Sequence, residues 1–294
     1  MSVEAAVYPV ELQRQVDDYL QDLRFSAEPG TARLEEAMRY SLLAGGKRIR
    51  PVLCLATARA LGLDPAGLLP TAASLELIHT SSLIHDDLPA MDDDDMRRGR
   101  PTCHVKFGED VAILAGDALF AEAVTLVLER QQGEPANVMA ALREITSAAA
   151  VSGMVGGQYV DITAGEALDA AGLRHLHELK TGRLIGASIE SVLRLEGVNG
   201  PATIPFTRFA AELGVLFQIV DDILDVTGDE EALGKPQGSD ERHGKRTYVS
   251  VFGLERAREL ARESHSKARA ALEEAEARTG TLEQITDYIL TRKN

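Results

Sequence analysis

The sequence predicts an all-α protein, and three observations carry that prediction. Apolar residues recur at helical spacing through almost the whole chain, and no convincing period-two run interrupts them. Ala, Leu, Glu and Arg dominate, and these residues lose little side-chain freedom in a helix. Aromatics are only 4% and Trp is absent, which removes the usual furniture of a sheet. No low-complexity linker or short repeat divides the chain, so residues 1–294 read as one domain. A hydrophobic content of 45% is enough for one large core at this length.

Taken in order, helices are predicted over 9–24, 31–43, 51–61, 66–89, 109–131, 135–152, 167–196, 201–227, 247–278 and 281–291. Several carry start signals. Thr31 has Glu35 close behind, Pro51 stands in a first turn, and Asp64-Pro65, Glu134-Pro135 and Gly200-Pro201 each open an apolar run. The stretch 92–108 is charged, holds Gly99 and Pro101, and reads as a loop. A second loop, 228–246, carries Gly228, Gly234, Pro236, Gly238 and Gly244.

Composition narrows the function classes. A net charge of −15 disfavours generic binding to nucleic acid or an anionic membrane. It does not exclude a phosphorylated substrate, because surface charge is screened over about 8 Å at physiological salt. No run of about 18 consecutive apolar residues occurs, so no membrane span is expected. The first residues include Glu4 and Glu11 and lack a basic flank with an apolar run, unlike a signal peptide. Two cysteines, Cys54 and Cys103, make no disulfide framework, and a cytoplasmic location is expected.

Two acidic clusters, Asp86-Asp87-x4-Asp92 and Asp221-Asp222-x2-Asp225, each end an apolar helix and precede a basic, glycine-bearing loop. Asp221 and Asp225 lie about 40° apart around a helix, with Cβ atoms about 5–6 Å apart. Carboxylates that close repel unless a cation sits between them, and Mg²⁺ suits oxygen ligands shared with phosphate. Asp86 and Asp92 would sit about 120° apart on an ideal helix, so they need a break, and Pro89 can supply it. Taken alone, Asp92-Asp93-Asp94-Asp95 reads equally as a solvated charge run. Two clusters with the same setting are harder to dismiss.

Cations accompany both. Gly45-Gly46-Lys47-Arg48-Ile49-Arg50-Pro51 sets three of them beside two glycines at a helix entrance, which suits a diphosphate, although a surface turn would look the same. Arg97 and Arg98 follow the first acidic cluster, and Lys235 and Lys245 the second. His79 lies two turns before Asp86 on the same helix face, where a lone His is ordinarily a core residue.

With these motifs in place, the sequence resembles the trans-prenyl diphosphate synthase family, the bacterial farnesyl and geranylgeranyl diphosphate synthases. The resemblance runs from about Leu34 to Arg292 and rests on GGKRIRP at 45–51, SLIHDDLPAMDDDDMRRGRPTCH at 82–104 and GGQYVDI at 156–162. KTGRL at 180–184, FQIVDDILD at 217–225 and LGKPQGSD at 233–240 complete it. The resemblance implies a helical bundle with a central cavity, a homodimer, and two substrates, isopentenyl diphosphate and an allylic diphosphate. It implies that Asp86, Asp92, Asp221 and Asp225 hold magnesium on the allylic diphosphate, with Asp87 and Asp222 assisting. Arg97, Lys180, Lys235 and Lys245 would bind that diphosphate, and Lys47, Arg50, His79 and Arg98 the diphosphate of isopentenyl diphosphate. Thr181 and Gln218 would face the allylic carbon, and Gln158 and Asp161 would brace the site.

Product length is expected to be read along the helix that ends at Asp86, where Ser82, Ser81 and Ile78 form one stacked face. Many farnesyl synthases carry an aromatic residue at the position of Ser81. The small side chain here points to geranylgeranyl diphosphate, with farnesyl diphosphate as the alternative. A class I terpene cyclase would lack counterparts of Lys47, Arg50 and Arg98. A non-catalytic synthase subunit would lose one or both acidic clusters, and this chain keeps both.

Overall fold

The computed structural model describes residues 7–164, 168–228 and 245–292. Fourteen α-helices are seen among them, and the strands there amount to one small hairpin. The first three helices are α1 (Val10–Asp22), α2 (Ala32–Leu42) and α3 (Ile49–Ala60). α1 buries one stripe, Leu12, Val16 and Leu20, as helical periodicity requires. α3 is buried nearly all round, and so is α4 (Leu69–Asp86), which enters through Pro70 in its first turn. A helix apolar on every side belongs in the middle of a bundle, and the other elements pack around these two.

α4 ends at Asp86, three residues before Pro89, where the sequence reading had carried it to 89. The loop beyond holds two features that periodicity could not reveal. Met96–Arg97 (β1) pairs antiparallel with Arg100–Pro101 (β2), and Arg98 and Gly99 turn between them with φ of +53° and +70°. Two positive φ values make the tight turn whose twist suits a hairpin. Strands of two residues are too short to show an alternating pattern. A short helix, α5 (Cys103–Phe107), follows.

α6 (Glu109–Arg130) lies along α4, and α7 (Pro135–Ala149) packs on α10 (Arg183–Leu195). The apolar content of α6 exceeds the sequence expectation. By length and mean hydropathy of 2.0 it could cross a membrane, as could the run Pro135–Thr163. Part of α6 is covered by α4 and α2, while Ile113, Leu114 and Leu128 stay exposed.

α8 (Met154–Ala164) was not expected as a helix, because Gly153, Gly156 and Gly157 argue for a loop. Tertiary contact explains the glycine: a Cβ on Gly157 would overlap the backbone of Lys180. α9 (Ala170–His177) continues through a π-helical segment, Glu178–Gly182, into α10. α11 (Ile204–Thr227) carries the second acidic cluster at its C-terminal end. A Cβ on Gly214 of α11 would meet the Gly182 Cα at 2.9 Å, so these two backbones touch.

The predicted helix 247–278 divides at Gly253 (φ +81°) into α12 (Tyr248–Phe252) and α13 (Leu254–Glu273). α14 (Gly280–Thr291) closes the bundle against α3 and α11. One continuous apolar core joins α1 to α14. Cys54 and Cys103 are free thiols, both buried.

Candidate active site

A cavity of about 750 Å³ opens among α4, α6, α8, the π segment and α11. Asp86 and Asp221, from the two acidic clusters, both line it. The break after α4 does what the spacing required. The backbone N–H of Asp92 donates to the carbonyl oxygen of Asp86 at 2.8 Å, and the N–H of Asp93 to that of Leu88 at 3.1 Å. The chain doubles back, and Asp92 stands beside Asp86 despite six residues of separation. Burial pushes the Asp86 carboxyl up to about 6, with the neighbouring Asp92 charge adding to it; Lys180, Arg97 and Lys245 pull the other way.

Four carboxylates of the site are met by cations. Lys245 Nζ donates to both oxygens of Asp92 at 3.0 and 2.9 Å. Lys180 Nζ donates to Asp161 at 2.5 Å, so the residue expected to brace the site holds the lysine expected to bind substrate. Arg97 forks onto Asp87, with Nε at 2.7 Å and Nη2 at 2.5 Å. Asp87 is buried and bound to Arg97. Arg292, which the sequence reading missed, donates to Asp221 Oδ1 and lies 4.4 Å from the centre of the Phe217 ring. No motif marks Arg292; only the direction of α14 brings the last turn of the described chain back to the site.

Thr181, Gln218 and Asp222 form a relay. Thr181 Oγ1 donates to Gln218 Oε1 at 3.0 Å, and Gln218 Nε2 donates to Asp222 Oδ1 at 2.8 Å. Asp222 Oδ2 accepts the backbone N–H of Tyr248 at 2.7 Å, which pins the start of α12 to α11. Asp222 is 1% exposed, with both carboxylate oxygens engaged. Asp225 lies one turn further on and is also buried. The Gln158 amide lines the cavity with both its polar atoms buried and without a hydrogen-bond partner among the described residues.

The glycine-rich turn sorts its three cations. Arg48 points inward, donating to Asp17 at 2.9 Å, to Glu76 at 2.6 Å and to the Leu42 carbonyl at 2.9 Å. Its φ of +53° sets it apart from its neighbours and leaves Lys47 and Arg50 for the site. Tyr8 fixes the turn by donating to the Lys47 carbonyl at 2.6 Å. Arg98 donates to the Gly45 carbonyl, and a side chain on Gly46 would overlap its guanidinium. Arg50 and His79 line the cavity nearby, and Arg50 Nε has no hydrogen-bond partner among the described residues. Burial and the charges of Arg50 and Arg98 hold His79 well below its usual range, so it is neutral. Burial, reinforced by Arg292, lowers Lys47 to about 8.

Ser81 and Ser82 line the cavity, with hydroxyls turned into their own helix: they donate to the carbonyls of Ile78 and His79 at 3.0 and 2.9 Å. Ile78, expected one turn deeper on the same face, lies behind the cavity wall. It is 1% exposed, packed in the core and not part of the cavity wall. Phe120, on α6, does line the cavity and was not anticipated. Lys235 and the motif at 233–240 lie outside the described residues.

The donor set bears on the metal. Among the described residues, no three acidic, His or Cys side chains are grouped closely enough to hold a metal by themselves. Carboxylates stand on two walls of one cavity and offer oxygen ligands. That fits magnesium, which takes one or two carboxylates per ion together with water and substrate phosphates.

The polyprenyl synthetase family model matches residues 31–289. The chain belongs to that family. It is a prenyltransferase, a short-chain prenyl diphosphate synthase of the all-α isoprenoid-synthase fold. Among its relatives is farnesyl diphosphate synthase of Geobacillus stearothermophilus, 44% identical over 90% of each chain. The chloroplastic geranylgeranyl pyrophosphate synthase of Capsicum annuum is 41% identical over 98% of this chain and 79% of its own. The geranyltransferase of Helicobacter pylori, solved in complex with magnesium and isoprenyl diphosphate, superposes with a TM-score of 0.86 at 31% identity, covering 98% of each chain.

Proposed function

We propose that this synthase condenses isopentenyl diphosphate with dimethylallyl, geranyl and farnesyl diphosphates in turn to give geranylgeranyl diphosphate. The observation that carries the reading is the cavity itself: acids and cations at its mouth, and small Ser81 and Ser82 one to two turns behind Asp86. Farnesyl diphosphate is the second reading, favoured by the Phe120 ring in the same wall.

Asp86, Asp92, Asp221 and Asp225 would hold magnesium, which when bound neutralises the diphosphate leaving group. Lys180, Lys245 and Arg97 add fixed positive charge around that diphosphate, a form of stabilisation that needs no reorganisation as the C–O bond breaks. The Thr181 and Gln218 oxygens face the positive carbon, and apolar walls keep water from it. Lys47, Arg50, Arg98 and neutral His79 would orient isopentenyl diphosphate so that its double bond attacks. The departing diphosphate takes the proton in this family, so no side-chain base is assigned.

The reading extends to a homodimer in the cytoplasm. Exposed Ile113 and Leu114 on α6 and Val155, Tyr159 and Ile162 on α8 are apolar groups that a second copy would cover. Light scattering at micromolar concentration tests this, and a monomer would overturn it. The activity test is incubation with Mg²⁺, labelled isopentenyl diphosphate and each allylic primer. A twenty-carbon product supports the first reading, a fifteen-carbon stop the second, and no elongation by folded protein overturns both.

A further inference from the structure

We infer that Glu76, buried on α4, is a positioning residue of the isopentenyl diphosphate subsite: it anchors Arg48 and so fixes the turn that carries Lys47 and Arg50. The inference rests on the subsite proposed above and adds a residue that need not touch substrate. The side chains of Glu76 and Arg48 are each 2% exposed, and Arg48 Nη1 donates to Glu76 Oε1 at 2.6 Å. A pair buried so deeply is costly to desolvate and gains little net stability over an apolar pair, so its value is read in geometry. The geometry it holds is that of Arg48, which stands at φ +53° directly ahead of α3.

The rest of the turn is held as closely. The Gly45 carbonyl accepts from Arg98, the Gly46 carbonyl from Gln13 Nε2 at 2.9 Å, and the Lys47 carbonyl from Tyr8 at 2.6 Å. A free carbonyl facing a diphosphate would repel it, and these three are engaged elsewhere. Arg48 completes the set by donating to the Leu42 carbonyl and to Asp17, each at 2.9 Å. The Asp17 side chain is 43% exposed, so Glu76 is the buried anchor of the two.

Glu76 also serves the neighbouring cations. Burial lowers the Arg50 guanidinium, and Glu76 is foremost among the charges that oppose this; the same holds for Arg98. His79 follows one turn later on α4. One buried carboxylate thus stands among three guanidiniums, which would repel one another without it.

The experiment measures melting temperature and KM for isopentenyl and geranyl diphosphates, with Mg²⁺, in wild type, Glu76→Gln and Arg48→Gln/Glu76→Gln. Glu76→Gln keeps the shape and removes the charge. KM for isopentenyl diphosphate should rise about tenfold, with KM for geranyl diphosphate within about twofold of wild type. The double variant leaves no unpaired member of the pair, so it should fold even where the single variant does not, and show the same rise. A residue that only stabilised the fold would lower the melting temperature and the active fraction while leaving both KM values in place. An unchanged KM for isopentenyl diphosphate in the double variant, or an equal rise for both substrates, overturns the assignment. Wild-type protein that consumes no isopentenyl diphosphate overturns the synthase reading, and this one with it.

Discussion

Gln218 donates its amide to Asp222 at 2.8 Å while its own carbonyl oxygen accepts the Thr181 hydroxyl, so one buried carboxylate orients two polar side chains in series. The same carboxylate caps α12 through the Tyr248 N–H. In Asp222→Asn, one side of the new amide is a donor, and it must face either Gln218 Nε2 or the Tyr248 N–H. If Gln218 flips to relieve the clash, its oxygen leaves Thr181. Stability should fall by about 1–3 kcal/mol, and kcat by about tenfold to a hundredfold. Urea unfolding and steady-state turnover measure the two effects; a silent substitution in both would remove Asp222 as the orienting group.

The exposed end of the cluster behaves differently. Asp221 is held by Arg292 and is only half-buried, so Asp221→Ala should leave the fold intact and reduce turnover at least about a hundredfold. Asp86→Ala should do the same. Circular dichroism with an activity assay decides, and near-normal turnover in either variant removes it from the metal set.

Lys47 gives a pH dependence of defined sign. Its ammonium is lowered to about 8, chiefly by burial, so the cation is present below that pH and lost above it. kcat/KM for isopentenyl diphosphate should bend downward above about pH 8, since it reports groups of the free enzyme. In Lys47→Arg the guanidinium stays charged and the bend should vanish. An identical profile for the two proteins would place the titrating group elsewhere.

Away from the site, Glu190 on α10 lies against Glu144 of α7, and burial, a hydrogen bond and the like charge push it up to about 7. It binds more protons folded than unfolded between its ordinary 4.5 and 7, so stability falls as pH rises through that window. Glu190→Gln mimics the protonated form and should flatten the decline. Relative to wild type it should gain about 1 kcal/mol between pH 5 and 8, solvent screening allowed for. Parallel melting curves for the two proteins across that range would contradict this.

Ser81→Tyr should shorten the product, since a second ring would face Phe120 across the cavity. Ser81 is nearly buried, so the added volume should also cost about 1–3 kcal/mol. Product chromatography and thermal unfolding read the two outcomes. An unchanged product would remove Ser81 as a length determinant.

The all-α class and the two acidic clusters were legible in the sequence, because helical periodicity and carboxylate spacing are local properties. So was the need for Pro89 to turn Asp92 back, which the Asp92–Asp86 backbone bond fulfils. Helix α8 was hidden by glycines whose reason, close approach to Lys180, lies 23 residues further along the chain. Lys47, Arg48 and Arg50 look equivalent in sequence, yet Arg48, at a left-handed φ, enters a buried ion pair while Arg50 lines the cavity.

By itself, then, the sequence determined which residues are charged, where the acidic clusters fall and which segments are helical. Tertiary structure alone decided what those residues face. Arg292 reaches Asp221 across 71 positions, and Phe120 rather than Ile78 borders the cavity. Helical periodicity says which residues share a face of one helix, but the occupant opposite depends on how two helices are set in register, and that is a property of packing.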